Sequence, residues 1–247
     1  MNFNKKLTNL LLLVFIFMNS CMDRTPLNSS ISDWELVFED NFDSYDSNKW
    51  IKSNHTFDGN ASFFSPGNIQ FENGILKLNL TNESFSSKTY TGAEISTIDS
   101  FLYGKFVINM KVPSGSGIIS SFFQMFLNPR QELDVEILGK NTSIMQRSVH
   151  YSIEGNQNYI SDTFDIDLGF DASKDFHEYS IIWEENKISW FVDSILVSEF
   201  NEYIPNQSMN VIMNIWLSES ISWAGEIDEN SLPTKVYYDY VKIYRKN

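Results

Sequence analysis

Glu132-Leu133-Asp134-Val135-Glu136-Ile137 places a carboxylate at every second position of a short run. Side chains alternate across a β-strand, so Glu132, Asp134 and Glu136 share one face while Leu133, Val135 and Ile137 share the other. The apolar face reads as core. Like charges stacked along one strand weaken a sheet, so a chain keeps such a cluster mainly where the acids act on something.

The same period of two runs outward in both directions. Leu76, Leu78 and Leu80 alternate with Lys77 and Asn79, and Phe106, Ile108, Met110 and Val112 alternate with Val107, Asn109 and Lys111. Met209, Val211, Met213 and Ile215 alternate with Asn210, Ile212, Asn214 and Trp216. Ile188, Trp190 and Val192 make a short strand, and Val236 to Tyr244 an aromatic-rich last one. Turn signals separate these runs at Asn73-Gly74, Pro113 to Gly117, Gly155, Asp193-Ser194 and Pro205-Asn206. Sustained helical periodicity is missing, as are internal repeats. The reading is all-β: an antiparallel sandwich of two stacked sheets. With 247 residues the chain can build one large domain with a real core.

Eighteen basic residues against 32 acidic ones give a net charge of −14. That field disfavours nucleic acid, anionic membrane and strongly acidic glycans, and it suits a neutral partner. Residues 1–20 read as an export signal: Lys5 and Lys6 precede an apolar stretch, Leu10 to Phe17, too short for a membrane span. Cys21, the single cysteine, follows at once and resembles the acylated cysteine of a bacterial lipoprotein, although Met18 stands where leucine is usual. One cysteine excludes an intramolecular disulfide. Residues 21–32 then form the attachment site and tether, and residues 33–247 the folded domain. The expected location is the cell envelope, through a lipid anchor at Cys21, the alternative being secretion after an ordinary signal cleavage, and the expected state is a monomer.

Paired carboxyl groups on a strand suggest glycosidic-bond chemistry, which needs one acid and one nucleophile or base. Glu132 and Glu136 have Cα atoms about 13 Å apart on an extended strand. If each side chain leans roughly 4 Å inward, about 5 Å separates the carboxyls, a spacing compatible with a retaining pair without excluding an inverting one. Asp134, between them, can share a proton with Glu132, and clustered acids raise one another's pKa.

The pentapeptide Glu132-Leu133-Asp134-Val135-Glu136 resembles the Glu-x-Asp-x-Glu signature of glycoside hydrolase family 16. Gly117 to Phe123, Ile137 to Lys140, Leu168 to His177, Trp190 to Asp193, Met213 to Trp216 and Trp223 to Gly225 are similar to segments of bacterial lichenases (β-1,3-1,4-glucanases). Phe38 to Phe42 with Trp50 resembles the family's opening strand, so the likeness spans roughly residues 34–245. The resemblance implies a β-jelly roll with a concave cleft and a retaining endo-β-glucanase. Glu132 would be nucleophile, Glu136 acid/base and Asp134 the helper between them. It implies no cofactor. A structural calcium would sit near Glu39, Gly74 and Asp239. Substrate contacts would come from Glu94, Phe123, His150, Tyr151, Asn214, Trp216 and Trp223. Trp216 is in phase with Asn214, which itself favours the cleft.

The chain departs from lichenases at four places. Glu94-Ile95-Ser96 stands for Glu-Tyr-Arg. Arg130 and Gln131 stand where a tryptophan is usual, the loop from Phe123 to Glu132 is shorter, and His150-Tyr151 replaces Asn-Tyr. Two rivals follow from the same site: a transglycosylase acting on a β-glucan or xyloglucan, and a non-catalytic glycan-binding lipoprotein.

Overall fold

A computed structural model describes residues 33–152 and 159–247. The expected export signal, attachment cysteine Cys21 and tether, and the expected turn at Gly155, lie outside the described residues. Strands are numbered in chain order. The outer sheet runs β14 (Ile195–Phe200), β13 (Ile188–Val192), β12 (His177–Trp183), β7 (Gly104–Lys111), β16 (Thr234–Lys246), β5 (Ile75–Leu80) and β4 (Ile69–Glu72), with β1 (Trp34–Asp40) also on β16. The cleft sheet runs β11 (Tyr159–Asp167), β10 (Ile144–Ser152), β9 (Arg130–Leu138), β8 (Ile118–Leu127), β15 (Met209–Leu217), β6 (Tyr90–Phe101) and β2 (Trp50–Lys52). β3 (Ser62–Phe64) joins β6 in parallel; the remaining pairings are antiparallel. The all-β jelly-roll reading stands.

The alternation in the sequence becomes the core. Leu76, Leu78 and Leu80 are fully buried, as are Phe106, Ile108, Met110, Leu133 and Ile137. Each such side chain contributes about 1.5–3 kcal/mol on leaving water. The hairpin turns behave as their residues require. Asn73 and Gly74 have φ of 54° and 72°, and Asp193 and Ser194 have 47° and 65°. Positive φ at both central residues matches the right-handed twist of the strands they join.

Hydrogen bonds that cross the sandwich fix the cleft strands from behind. Trp190 Nε1 on β13 donates to the Asp134 backbone carbonyl at 3.0 Å. Tyr238 on β16 donates its hydroxyl to the Ser121 carbonyl at 2.8 Å. Both aromatic side chains are fully buried, so they place β9 and β8 by packing as well as by bonding.

Candidate active site

The register of the cleft sheet gathers the site. On β9, Glu136, Asp134 and Glu132 oppose Ser121, Phe123 and Met125 of β8 on one side. On the other side they oppose Gln146, Ser148 and His150 of β10. Asn214 of β15 opposes Ser121 on one flank and Glu94 of β6 on the other. These side chains share one face and floor a cavity of about 710 Å³. The predicted Glu94, Phe123, His150, Asn214, Trp216 and Trp223 all line it.

Tyr151 does not. It opposes Gln131, one residue out of phase with Glu132 and His150, and the period of two turns it to the other face. Its ring lies 6.2 Å from that of Tyr203. Tyr151, expected among the substrate contacts, is thus the one member of that set that does not line the cavity.

Glu132 and Asp134 are buried, with 7% and 3% of their surface exposed. The acidic face is therefore a cleft floor and not a solvated edge. Burial pushes the Asp134 carboxyl well above the usual range, and the Glu132 charge adds to it, with Arg130 opposing. Burial likewise raises Glu136, with the neighbouring acids Asp134 and Glu132 adding to it and a hydrogen bond from Ser121 among the effects opposing it. A carboxylic acid kept protonated near neutral pH can donate a proton. Burial also lowers His150, so the imidazole stays neutral there. His150 Nε2 lies 3.2 Å from Asp134 Oδ2, while its Nδ1 meets the Tyr159 hydroxyl at 2.5 Å. Arg130 Nε donates to Glu132 Oε2 at 2.5 Å.

On the other flank, burial raises Glu94, which accepts from Ser53 Oγ at 2.7 Å and from Asn214 Nδ2 at 3.1 Å. Those bonds leave Asn214 Oδ1 buried and unpartnered, while the Ser121 hydroxyl beside it faces the Glu136 carboxyl across the register. Buried polar atoms without partners facing a cavity are suited to a ligand's hydroxyls. Aromatic rings wall one end: Phe57 and Trp216 lie 5.1 Å apart, Trp216 and Trp223 5.9 Å. Trp223 sits on a one-turn helix, Ile221–Ala224, and donates Nε1 to Gln146 at 2.8 Å. Sequence reasoning missed Ser53, His55, Phe57, Gln146 and Tyr159. His55, Phe57 and Gln146 line the cleft, Ser53 and Tyr159 bond its residues Glu94 and His150 from outside, and no local pattern marks any of them.

Among the described residues, Glu132, Asp134 and His150 form the acid–histidine group tight enough for a metal, with ligand atoms within 4.8 Å of one another. That group is the reacting centre itself. At the expected calcium position Glu39 is engaged by two lysines. Its carboxylate lies 3.3 Å from Lys242, and its carbonyl accepts from Lys49 at 2.8 Å. Gly74 faces other oxygens: a Cβ there would meet Asp43 Oδ1 at 3.6 Å and the Asn41 carbonyl at 3.7 Å. Asp239 sits where the pairing of β16 with β7 slips between Tyr238 and Tyr240.

Comparison with known proteins agrees with this geometry. The profile of glycosyl hydrolases family 16 matches residues 58–242. A beta-glucanase of Brevibacillus brevis is 32% identical over 217 residues, covering 83% of this chain and 81% of the relative. The crystal structure of a lichenase from a mouse hindgut metagenome superposes with a TM-score of 0.77 at 35% identity, over 83% of this chain and 97% of that one. A laminarinase catalytic domain from Thermotoga maritima gives 0.76 at 26% identity, over 87% and 99%.

Proposed function

The chain belongs to glycosyl hydrolases family 16 and is an endo-acting glycoside hydrolase, and on that footing we propose that it is a retaining endo-β-glucanase favouring mixed-linkage β-1,3-1,4-glucan. The observation that carries this reading is the row Glu132, Asp134, Glu136 on the floor of one cavity, with burial raising the Asp134 and Glu136 carboxyls well above the usual range.

In the first step a Glu132 oxygen attacks the anomeric carbon. The glycosidic bond breaks, and Glu136 gives its proton to the departing oxygen. In the second step Glu136, now a carboxylate, takes a proton from water. The hydroxyl oxygen attacks the same carbon, and Glu132 leaves as a carboxylate. Two inversions give net retention. Asp134, protonated, donates toward Glu132 and keeps two adjacent carboxyls from carrying two charges. Phe57, Trp216 and Trp223 offer apolar faces to pyranose rings, and Asn214 Oδ1 offers a partner to a sugar hydroxyl. The names borne by the relatives, beta-glucanase and lichenase, support a β-glucan and favour the mixed linkage.

We place the enzyme at the cell envelope, exported by residues 1–20 and acylated at Cys21, acting as a monomer. The reaction uses the chain's own carboxyls alone. In this reading calcium near Gly74 and Asp239 would serve stability only. The test is reducing-sugar release by residues 22–247 from barley mixed-linkage glucan, laminarin, xyloglucan and agarose, with Glu132→Gln as control. Release from mixed-linkage glucan, lost in the variant, is expected. Release from another polymer alone would overturn the specificity, and oligosaccharide products longer than the substrate would favour transglycosylation.

A further inference from the structure

We infer that Arg130 is the positioning residue of the nucleophile: its guanidinium ties back one oxygen of Glu132 and leaves the other free to attack. The inference rests on the reading of Glu132 as nucleophile. Arg130 opens β9, two residues before Glu132, so the two side chains share the cleft face. Its Nε donates to Glu132 Oε2 at 2.5 Å. A charge-assisted bond of this length fixes a carboxylate more firmly than a neutral donor can.

Arg130 is itself held. Its guanidinium carbon lies 5.7 Å from the centre of the Tyr159 ring, within cation–π range. The Tyr159 ring stacks on His150, with centroids 5.7 Å apart and planes 8° apart, and its hydroxyl meets His150 Nδ1 at 2.5 Å. His150 Nε2 in turn lies 3.2 Å from Asp134 Oδ2. Arg130 thus holds the Glu132 end of the Glu132–Asp134 pair, and Tyr159 touches both Arg130 and the His150 ring that lies beside Asp134. Asp134 is backed from the core as well, through the bond from Trp190 to its carbonyl.

The chemistry gives this arrangement a use in each step. Before attack, Arg130 engages Oε2 and directs Oε1 at the anomeric carbon. In the glycosyl ester, Oε2 becomes the carbonyl oxygen. When the ester bond to carbon breaks, negative charge returns to the carboxylate, and a fixed cation at Oε2 stabilises it. The second step therefore gains most. Lysine would supply charge without the planar fork, so it is a partial substitute.

The variants are Arg130→Met and Arg130→Lys, each checked for folding by thermal melting. For Arg130→Met, kcat on mixed-linkage glucan is expected to fall about 10–100-fold, the equivalent of losing one hydrogen bond to a charged group. KM should not rise, since the bond is made to the enzyme's own carboxylate and not to the ground-state sugar, and it should fall with kcat wherever the slowed second step lets the glycosyl-enzyme accumulate. Arg130→Lys should recover at least about half of that loss on a logarithmic scale. An aryl β-glycoside with a good leaving group should show a burst of phenol in Arg130→Met, because the second step is slowed more. Independently of turnover, the carboxyl ¹³C resonance of Glu132, assigned through Glu132→Gln, should move in Arg130→Met and move less in Arg130→Lys. A kcat within about twofold of the parent, equal losses in both variants, or an unmoved resonance would each overturn the inference. If the unaltered enzyme turns over no glucan, the reading of function fails, while the resonance still decides the role of Arg130.

Discussion

Asp134→Asn should make the protein more stable and less active at neutral pH. Asp134 is 3% exposed, and burial followed by the Glu132 charge raises its carboxyl well above the usual range. The sign follows from linkage. Below about pH 3.9, the ordinary aspartate value, both folded and unfolded chains hold the proton and the group is neutral to stability. Above it the unfolded chain releases the proton while the folded chain retains it. Stability is therefore lost progressively as pH rises toward the elevated folded value. Each unit of elevation removes about 1.4 kcal/mol, which for a domain of this size is about 3–6 °C in Tm. Asparagine keeps the shape and one donor toward Glu132, carries no charge and escapes this loss. Melting curves of both proteins at pH 3.5, 5 and 7, recorded by calorimetry, should coincide most closely at the lowest pH and separate upward, with the variant melting higher. A variant that melts lower at pH 7, or by the same margin at every pH, would refute the claim that Asp134 is held protonated.

Three further outcomes follow from the same geometry. Glu136→Gln should lower kcat on glucan about 10²–10⁴-fold and much less on an aryl glycoside whose leaving group needs no proton. Burial, then Asp134 and Glu132, raise the Glu136 carboxyl, so activity of the parent enzyme should fall as pH rises through that elevated value, and pH–rate curves should show this basic limb missing from the variant. Trp190→Phe removes the donor to the Asp134 carbonyl and leaves that carbonyl buried, which should cost about 2–4 kcal/mol in denaturant unfolding. Trp223→Ala removes the outer ring of the aromatic wall and its bond to Gln146, so oligosaccharide kinetics should show KM raised about tenfold or more, the apolar burial one indole provides, with kcat changed less.

What the sequence disclosed was periodic or local. The Leu76–Leu80 and Phe106–Met110 alternations became core strands, since a half-buried strand must place every second side chain inside. Asn73-Gly74 and Asp193-Ser194 became two-residue turns because these residue types accept positive φ at low cost. The acids of β9 were legible for the same reason, and alternation alone put them on one face. Partners across the sheet were not. Glu94 stands beside Asn214, 120 residues away, through the pairing of β6 with β15. Tyr159 reaches His150 because β11 folds back on β10. Register over such distances depends on the packed sandwich and leaves no mark in a short window. Tyr151 shows the reverse case: its neighbour His150 lines the cleft, and adjacency in sequence on a strand means opposite faces.

The mechanism turns on whether Glu132 forms a covalent bond to the sugar. The most direct measurement incubates the enzyme with a 2-deoxy-2-fluoro β-glucan oligosaccharide bearing an activated leaving group, then maps the mass-labelled peptide. Attachment at Glu132, with the first product of the natural substrate released as the β-anomer by NMR, is the predicted result. A label on another carboxyl, or no label together with release of the α-anomer, would contradict it.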